Sequence, residues 1–422
     1  MKTKAVRLYG KGDLRFEEFE LPEITENEIL AKVISDSLCM SSYKAAKQGA
    51  DHKRVPSDIA VNPIIIGHEF CVEVVQVGAN LTDRAKPGDR FTVQPAMYYK
   101  GSLDAPGYSY PYYGGDSTYI IIPKEVFETD CFLLYKGDAF YMGSLAEPMS
   151  CCLGGLHCCY HSKPGVYQHE MGIVEGGNMA VLAGVGPMGL GIIDYGLHGS
   201  KRPGLLVVTD IDPIRLARAE KLFPKEEAEK CGVKLHFVNT SERDTEYVLE
   251  MSSGTGYNDV FVMAPVRSVI EMGDSLLAFD GCMNFFAGPT DPAFSAMFNF
   301  YDVHYTQTHV CGNSGGNTDD MREFLRLAAE GKLNPSMMIT HIGGLNAVVD
   351  ATLHLPDISG GKKLKYNQIY MPLTAIDDFA KLGEDDPLFA ELARIVERTN
   401  GLWSAEAEEY LLVHATPISE VV

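Results

Sequence analysis

The chain has 422 residues, of which 45% are hydrophobic and 22% charged, and its formal net charge is −21. This size and composition are typical of a soluble globular protein with two or three domains. A surface this acidic repels nucleic acid and anionic lipid, so we expect neither as a partner. No apolar run reaches the ~18 residues that a membrane span needs, and no signal peptide is visible, so we expect a cytoplasmic protein.

The first part of the chain predicts a mostly β, barrel-like domain. Strand-like runs separated by glycine and proline turns lie at residues 4–8, 14–18, 28–35, 61–77, 88–94 and 118–122. Alternating apolar residues between such turns are the usual signal of strands. Residues 95–116 are rich in Gly, Pro and Tyr, and they predict a long irregular lobe.

Near residue 150 the pattern changes to strands that alternate with helices. Apolar strands are predicted at residues 180–183, 205–209, 235–238, 259–263, 283–286 and 306–311, with helices at 187–198 and 213–222. This alternation indicates a parallel, doubly wound sheet. The predicted fold class is therefore α/β, with a mostly β domain ahead of the doubly wound one.

The last part of the chain is predicted to return to the first domain. A helix at 319–329 and a strand at 338–341 follow Gly312, and a helical tail begins with an N-cap at Asp386 and a proline at the first helical position. The apolar stripe of this tail is expected to cover either a subunit face or the first domain. The predicted domains are residues 1–155, 156–313, a return over 314–370, and a helical extension over 371–422.

Ten cysteines are spread along the chain, at positions 39, 71, 131, 151, 152, 158, 159, 231, 282 and 311. Their spacing is unlike that of a small disulfide scaffold, which indicates a reduced protein. The pairs at 151–152 and 158–159 fall on one stripe of a predicted helix and contain no Cys-x-x-Cys spacing. We expect these four, and Cys71 in a buried strand, to fill the core as small apolar groups.

Three short segments offer the ligands of a metal. Cys39 precedes Met-Ser-Ser, His68 and Glu69 are adjacent, and Glu147 lies within Ala-Glu-Pro. A thiolate, an imidazole and carboxylates are ligand types of a catalytic zinc that keeps one coordination position open. Taken singly, Cys39 is equally well a core thiol, and His68 with Glu69 a surface pair at a strand end.

A glycine-rich turn follows the strand predicted at 180–183. Its sequence, Gly-Val-Gly-Pro-Met-Gly, fits the G-x-G-x-x-G pattern and opens a helix, which is the context of a dinucleotide-binding loop. The helix N-terminus would attract the pyrophosphate. The residues of this turn predicted to bind the cofactor are Gly184, Gly186, Pro187, Met188 and Gly189.

Asp210 ends the next predicted strand, where a carboxylate can accept hydrogen bonds from the adenosine ribose. This carboxylate would repel a 2′-phosphate and so favours NAD(H), whereas Arg215 and Arg218 nearby weaken that preference and leave NADP(H) open. The alternatives are a helix cap at Asp210 and a glycine turn that binds no nucleotide.

The order of these motifs resembles the zinc-dependent medium-chain dehydrogenase/reductase family over roughly residues 1–370. The segment Leu-Ala-Glu-Pro-Met-Ser at 145–150 is similar to the polyol (sorbitol) dehydrogenase branch of that family. The resemblance implies a GroES-like catalytic domain, a Rossmann domain, and an NAD(P)-dependent oxidoreductase of alcohols or polyols.

The resemblance also implies roles for particular residues. Cys39 and His68 would be zinc ligands, Glu69 or Glu147 would complete the protein ligands, and Ser41 would pass the substrate proton toward solvent. No cysteine lies between positions 71 and 131, so the structural zinc of many family members is expected to be absent, which leaves one catalytic zinc per chain.

Lys44 occupies the position at which family members often carry a proton-relaying histidine. It begins a basic run that continues with Lys47, His52, Lys53 and Arg54. Such a run beside the zinc segment of an acidic protein could neutralise a substrate phosphate. A solvated face is the usual meaning of a charge run and is the alternative.

With the resemblance, these features predict hydride transfer between NAD(P)H and the carbonyl of a ketose phosphate. One alternative is a dehydrogenase of unphosphorylated polyols or sugars. Another is a non-catalytic nucleotide-binding or structural protein, which is disfavoured because none of the zinc ligands is lost. Since family members are usually dimers or tetramers, a homo-oligomer is expected.

Overall fold

The structure, a computed structural model, describes residues 1–163 and 165–420. The chain forms two compact units. Unit 1 comprises Met1–Glu147, Asn317–Ala329 and Pro335–Val422, and unit 2 comprises Pro148–Gly316 and Glu330–Asn334. The chain therefore leaves unit 1 after Glu147 rather than after residue 155, and the tail beyond residue 370 is part of unit 1.

Strands dominate the first part of unit 1, in agreement with the apolar alternation there. The elements are β1 (Lys2–Gly10), β2 (Asp13–Glu20), β3 (Ile29–Ser37), α1 (Met40–Gln48), β4 (Ile64–Ile65), β5 (Phe70–Val77), β6 (Arg90–Val93), β7 (Tyr119–Ile122), α2 (Lys124–Glu128), β8 (Phe132–Leu134) and α3 (Phe140–Ser144). Residues 95–116 contain a single short 3₁₀ turn and are otherwise irregular, as their composition predicts.

Strands and helices alternate through the middle of the chain. The elements are α4 (Ala146–Cys158), β9 (Tyr160–Ser162), β10 (His169–Met171), β11 (Asn178–Leu182), α5 (Pro187–His198), β12 (Leu205–Asp210), α6 (Pro213–Leu222), α7 (Lys225–Lys230), β13 (Lys234–Asn239), α8 (Thr245–Met251), β14 (Tyr257–Val262), α9 (Arg267–Leu276), β15 (Leu277–Phe285), α10 (Phe300–Tyr305) and β16 (His309–Cys311).

The strand predicted at 306–311 is shorter than expected. Asn299 caps the backbone N–H of Tyr301 and starts α10, so β16 begins only at His309.

The remaining elements complete unit 1. They are α11 (Thr318–Ala329), β17 (Ile339–Gly344), α12 (Val348–Leu353), β18 (Lys362–Tyr366), β19 (Thr374–Ala375), α13 (Phe379–Leu382), α14 (Pro387–Arg398) and α15 (Ala405–His414).

Two sheets organise unit 1. One has the order β2-β1-β4, and the other has the order β19-β17-β18-β3-β5-β6-β8 with β7 paired to β3. β18 pairs antiparallel with β3 and places Leu364 opposite Ser37. The return of the chain after α11 thus adds strands to the sheet that the first 150 residues begin.

Unit 2 is built on a six-stranded sheet with the order β13-β12-β11-β14-β15-β16. Every neighbouring pair in it is parallel. Renumbered within the sheet this is 3-2-1-4-5-6, the strand order of the dinucleotide-binding Rossmann fold. The predicted doubly wound sheet is therefore present.

The C-terminal helices pack on unit 1. Trp403 is buried, and its indole N–H donates to the Tyr366 hydroxyl at 2.7 Å. The Tyr366 hydroxyl in turn donates to the buried Glu408 carboxylate at 2.7 Å. The apolar stripe of α14, including Leu392 and Ile395, belongs to the same core. Of the two predicted uses of this stripe, the structure shows that it covers unit 1.

No helix within residues 1–163 and 165–420 has the length and apolar character needed to cross a membrane.

Candidate active site

Cys39, His68 and Glu69 are brought together at one end of the large sheet of unit 1. Cys39 follows β3 and is the N-cap residue of α1, while His68 and Glu69 directly precede β5. Gly67, with φ of +88°, makes this approach possible, because a Cβ there would lie 2.3 Å from Asp36 Oδ2 and 2.7 Å from the Asp116 backbone N.

The ligand atoms of Cys39, His68 and Glu69 all lie within 4.8 Å of one another. His68 and Glu69 are buried, at 5% and 1% exposure. Burial raises the pKa of the Cys39 thiol, and the negative charge of Glu69 raises it further. One sulfur, one nitrogen and one carboxylate in so small a space form a donor set that suits zinc.

Glu147 lies in the first turn of α4 and is also buried. Burial, followed by the charge of Glu69, raises the pKa of its carboxyl to about 7, and His68 acts in the opposite direction. The Glu147 carboxyl thus interacts electrostatically with Glu69 and His68. It is not one of the three residues whose ligand atoms all lie within 4.8 Å of one another.

Lys362, on β18, forms a buried ion pair with Glu69 that the sequence motifs do not reveal. Its Nζ lies 2.5 Å from Oε1 and 2.6 Å from Oε2 of Glu69. The Ser37 hydroxyl also donates to Oε2. Burial alone would raise the pKa of Glu69, but the charges of Lys362 and His68 lower it. Glu69 is therefore held as a carboxylate with both oxygens engaged.

Hydroxyl groups surround the His68 ring. Ser41 Oγ lies 2.9 Å from Cys39 Sγ and 3.3 Å from His68 Nε2, and Ser42 Oγ lies 3.4 Å from His68 Nδ1. The Tyr108 hydroxyl is 3.5 Å from His68 Nε2. Burial raises the pKa of Tyr108 well above its usual value, so this hydroxyl stays protonated. Tyr108 comes from the irregular lobe, where the sequence predicted no site residue.

Basic side chains also lie against the Tyr108 ring. The His52 ring stacks on the Tyr108 ring with centroids 5.5 Å apart, and the guanidinium carbon of Arg54 lies 5.5 Å from the same ring centroid. Burial lowers the pKa of His52, and the positive charges of Arg54, Lys53 and Lys44 lower it further.

Lys47 is set apart from this group although it belongs to the same sequence run. Its side chain is exposed and lies over the Tyr43 ring, at 5.6 Å from the centroid. The basic group beside the metal donor set is therefore His52, Lys53, Arg54 and Lys44.

In unit 2, the glycine-rich turn joins β11 to α5. A Cβ on Gly189 would lie 2.0 Å from the Gly184 carbonyl oxygen, so glycine is required for the helix to approach the strand. A Cβ on Gly186 would meet no atom within 4 Å. The turn thus leaves open space at its second glycine, where a pyrophosphate approaches the backbone in such loops. Pro187 and Met188 form the first turn of α5.

Asp210 is the last residue of β12, and its side chain is turned toward the glycine-rich turn. Oδ2 accepts from the Val185 backbone N at 3.4 Å, and Oδ1 accepts from the Ile211 backbone N at 2.8 Å. The helix cap considered for Asp210 is instead supplied by Asp212, which accepts from the backbone N of Ile214 and Arg215.

Arg215 lies in the first turn of α6. Its side chain is 43% exposed, and its Nε is 3.9 Å from Asp212 Oδ2.

The sequence matches two protein-family descriptions. Residues 25–129 match the alcohol dehydrogenase GroES-like domain, and residues 206–330 match the zinc-binding dehydrogenases.

Two curated relatives match over nearly the whole chain. Mannitol-1-phosphate 5-dehydrogenase of Aliivibrio fischeri is 50% identical over 97% of this chain and 97% of its own. L-sorbose 1-phosphate reductase of Klebsiella pneumoniae is 48% identical over 99% of both chains.

A solved structure shares the fold. The crystal structure of 2R,3R-butanediol dehydrogenase from Bacillus subtilis superposes with a TM-score of 0.68 at 21% identity, and covers 86% of this chain and 99% of its own.

Proposed function

This chain belongs to the zinc-binding dehydrogenase family with a GroES-like domain, and we propose that it transfers hydride between a nicotinamide cofactor and a phosphorylated sugar or polyol. Membership confirms the resemblance read from the sequence, the enzyme class of alcohol or polyol dehydrogenases, and the combination of a GroES-like domain with a doubly wound sheet. We further propose a substrate, a preferred nucleotide and roles for individual residues.

The basic group next to the metal donor set is the observation that carries the proposal. The Tyr108 ring contacts His68 in the donor set and also His52 and Arg54. A carbonyl placed at the donor set would therefore have the Arg54 guanidinium within the reach of a small sugar. Phosphate carries two negative charges near neutral pH, and lysine and arginine are its usual partners.

Cys39 and His68 would hold the zinc, with Glu69 or Glu147 as the third protein ligand. When bound, zinc would supply Lewis-acid polarisation of the substrate carbonyl. Ser41 contacts both Cys39 and His68, and its hydroxyl would donate the proton that the reduced carbonyl oxygen requires. Lys362 keeps the Glu69 carboxylate ionised and fixed, and thereby acts as a positioning residue.

The glycine-rich turn would bind NAD(H). Gly184, Gly186 and Gly189 shape the turn, and the N-terminus of α5 at Pro187 and Met188 would meet the pyrophosphate. Asp210 would accept hydrogen bonds from the ribose hydroxyls, which favours NAD(H). The exposed Arg215 on the next helix is the group that would bind the 2′-phosphate of NADP(H). Parallel rates with NADH and NADPH, in the wild type and in Asp210→Ala, test this preference.

The substrate favoured here is a ketose phosphate, with reduction of L-sorbose 1-phosphate to D-glucitol 6-phosphate as the leading reaction. The full-length similarity to L-sorbose 1-phosphate reductase supports it. The full-length similarity to mannitol-1-phosphate 5-dehydrogenase supports mannitol 1-phosphate as the second candidate. Both candidates carry a phosphate, which separates them from the alternative of free polyols and sugars.

Initial rates with matched pairs test the substrate class. The pairs are L-sorbose 1-phosphate against L-sorbose and mannitol 1-phosphate against mannitol. We expect kcat/KM for at least one phosphorylated member to exceed that of its free partner by about 100-fold or more, the equivalent of about 3 kcal/mol from charge-assisted hydrogen bonds. Equal values within both pairs would contradict the phosphate proposal.

Two variants on the same helix sharpen that test. Lys44→Met should lower kcat/KM for the phosphorylated sugar about tenfold and leave the rate with the free sugar nearly unchanged. Lys47→Met is the matched control, because Lys47 is exposed and is not among the charges that act on His52. An equal loss of kcat/KM in both variants would show that the overall charge of the helix, and not Lys44 itself, causes the effect.

We extend the proposal to a cytoplasmic homo-oligomer, a dimer or a tetramer, on the strength of family membership. Sedimentation equilibrium of the full chain measures the mass of the particle, and a monomer would contradict this part of the proposal alone.

A further inference from the structure

Four cysteine side chains meet at one edge of the sheet in unit 2, although they come from three separate segments. Cys158 ends α4 and Cys159 follows it, Cys282 lies on β15, and Cys311 lies on β16. The sulfur atoms of Cys159, Cys282 and Cys311 all lie within 4.8 Å of one another. Cys158 joins them through a 3.9 Å contact with Cys311. We call these four residues the sulfur cluster.

Two sulfur separations within the sulfur cluster are close to those of a tetrahedral metal site, and Cys158 lies at the border of the mutually close set formed by the other three sulfurs. With Zn–S bonds of about 2.3 Å, tetrahedral geometry places neighbouring sulfurs about 3.8 Å apart. The Cys282–Cys311 and Cys158–Cys311 sulfur distances are 3.5 and 3.9 Å. A disulfide requires about 2.05 Å, so neither of these pairs is bonded as a disulfide.

Two polar side chains, Asn284 and His309, lie at the sulfur cluster, and the Gly155 carbonyl oxygen accepts from the thiols of Cys158 and Cys159. Asn284 is fully buried, and its amide donates to Cys158 Sγ at 3.1 Å. The His309 ring lies beside Cys282 but has Nε2 2.6 Å from the Tyr160 carbonyl and Nδ1 3.2 Å from the Gln307 carbonyl. Both ring nitrogens of His309 are thus engaged by backbone carbonyls, so His309 is not counted among the ligands. Donors to the ligand atoms are a regular part of metal sites.

We propose that Cys158, Cys159, Cys282 and Cys311 bind a thiophilic divalent metal of the zinc class as a structural site. Such a site is closed, with protein sulfur in every position. Cys159 and Cys282 are buried, while Cys158 and Cys311 are partly exposed and leave the metal a path of entry. Binding releases the thiol protons to solvent and involves no redox change.

The proposed metal would tie the end of α4 to the edge of the sheet. β16 is only three residues long and pairs with β15 alone, so a bond to Cys311 would fix an element that few hydrogen bonds hold. Cys159 is fully buried and Cys158 partly buried, as the predicted core-filling role requires, and the proposed metal would give both a second role. The metal count rises from the one predicted zinc per chain to two.

Elemental analysis of the full-length protein, loaded with Zn²⁺ and desalted, tests this proposal. We expect two zinc equivalents per chain in the wild type, one in Cys39→Ser, and one in the double variant Cys282→Ser/Cys311→Ser. Cys231→Ser is the matched control and should retain two, because Cys231 follows α7 outside the sulfur cluster. Retention of the wild-type zinc content in the double variant would overturn the proposal.

A spectroscopic test does not depend on the double variant being folded. In Cys39→Ser loaded with Co²⁺, the active-site thiolate is gone, so strong thiolate-to-cobalt charge-transfer absorption must come from the sulfur cluster. Its presence, at an intensity appropriate to three or four thiolates, is the expected result. Its absence, or recovery of a disulfide-linked peptide pair containing Cys282 and Cys311, would overturn the proposal.

Discussion

Each unit of this protein gathers side chains that could hold a metal ion at one place, but the two places are built from different chemistry. In unit 1 the donor set mixes sulfur, nitrogen and oxygen and is embedded among buried charges on β18 and β3. In unit 2 the sulfur cluster consists of thiols beside an amide and an imidazole. Mixed donors with room for a substrate are typical of catalytic zinc, and all-sulfur sets of structural zinc.

The two lysines of β18 show how charge supports the unit 1 site. Lys362 pairs with Glu69 in the donor set. Lys365, three residues further along the strand, pairs with Asp36 at 2.7 Å and with Asp116. All of these groups are buried. Because each charge has a partner of opposite sign, removing one would leave another buried without compensation.

The largest expected effect is the loss of activity in Cys39→Ser. If unit 1 holds the catalytic metal, kcat/KM for the phosphorylated sugar should fall by at least about 10³-fold, while the thermal unfolding midpoint changes little. Cys231→Ser serves as the control for a cysteine outside both sites. Activity within tenfold of the wild type would show that the catalytic donor set lies elsewhere.

Next in size is the stability cost of Lys365→Met. This change leaves Asp36 and Asp116 buried without their cation, and breaking such a pair costs about 3–5 kcal/mol. Urea unfolding at pH 7, followed by circular dichroism, measures the free energy of unfolding. Lys32→Met, at a partly exposed position on β3, is the control. A cost below about 1 kcal/mol would show that buried charge is not what holds this part of unit 1.

A smaller and more specific effect is expected for Lys362→Met. Loss of the ion pair to Glu69 should weaken zinc binding at the unit 1 site about 10- to 100-fold, as removal of an outer partner of a ligand does. Lys362→Arg should restore most of the affinity, since it keeps the positive charge. Zinc affinity measured by competition with a chelator is the readout, in a Cys282→Ser/Cys311→Ser background that isolates this site. Unchanged zinc affinity in Lys362→Met would show that the lysine contributes only to packing.

The smallest effect is expected from the sulfur cluster. Cys282→Ser/Cys311→Ser should lower Tm by about 5 °C, on the basis of roughly 2–4 °C per kcal/mol for a unit of this size, and leave kcat/KM within twofold of the wild type. Differential scanning calorimetry with added zinc gives the first value, and initial rates give the second. A large loss of activity at unchanged Tm would show that the sulfur cluster serves catalysis rather than stability.

Local sequence patterns predicted much of the fold and of the unit 1 site. The helices at 187–198 and 213–222 begin and end as predicted, because a proline at the first helical position marks the start of each. The residues Cys39, Ser41, His68 and Glu69 stand in short motifs, so their grouping was predictable from the motif order.

Contacts between distant segments escaped prediction. Lys362 reaches Glu69 from a position 293 residues away, and Tyr108 lies in a mostly irregular lobe. The sulfur cluster was missed for the same reason, since Cys282 and Cys311 carry no spacing signal and meet Cys158 and Cys159 only through the order of strands in the sheet. A lysine in a strand flanked by apolar residues, as at 362–366, was the one local hint of a buried charge.

Metal depletion and reconstitution are the most direct test of a catalytic zinc held by Cys39 and His68. The protein is stripped with a chelator, and the NADH-dependent reduction of L-sorbose 1-phosphate is followed as Zn²⁺ is returned to the wild type and to Cys39→Ser. We expect that activity disappears on stripping, returns with zinc in the wild type, and does not return in Cys39→Ser. Full activity in the stripped wild-type protein would contradict this expectation.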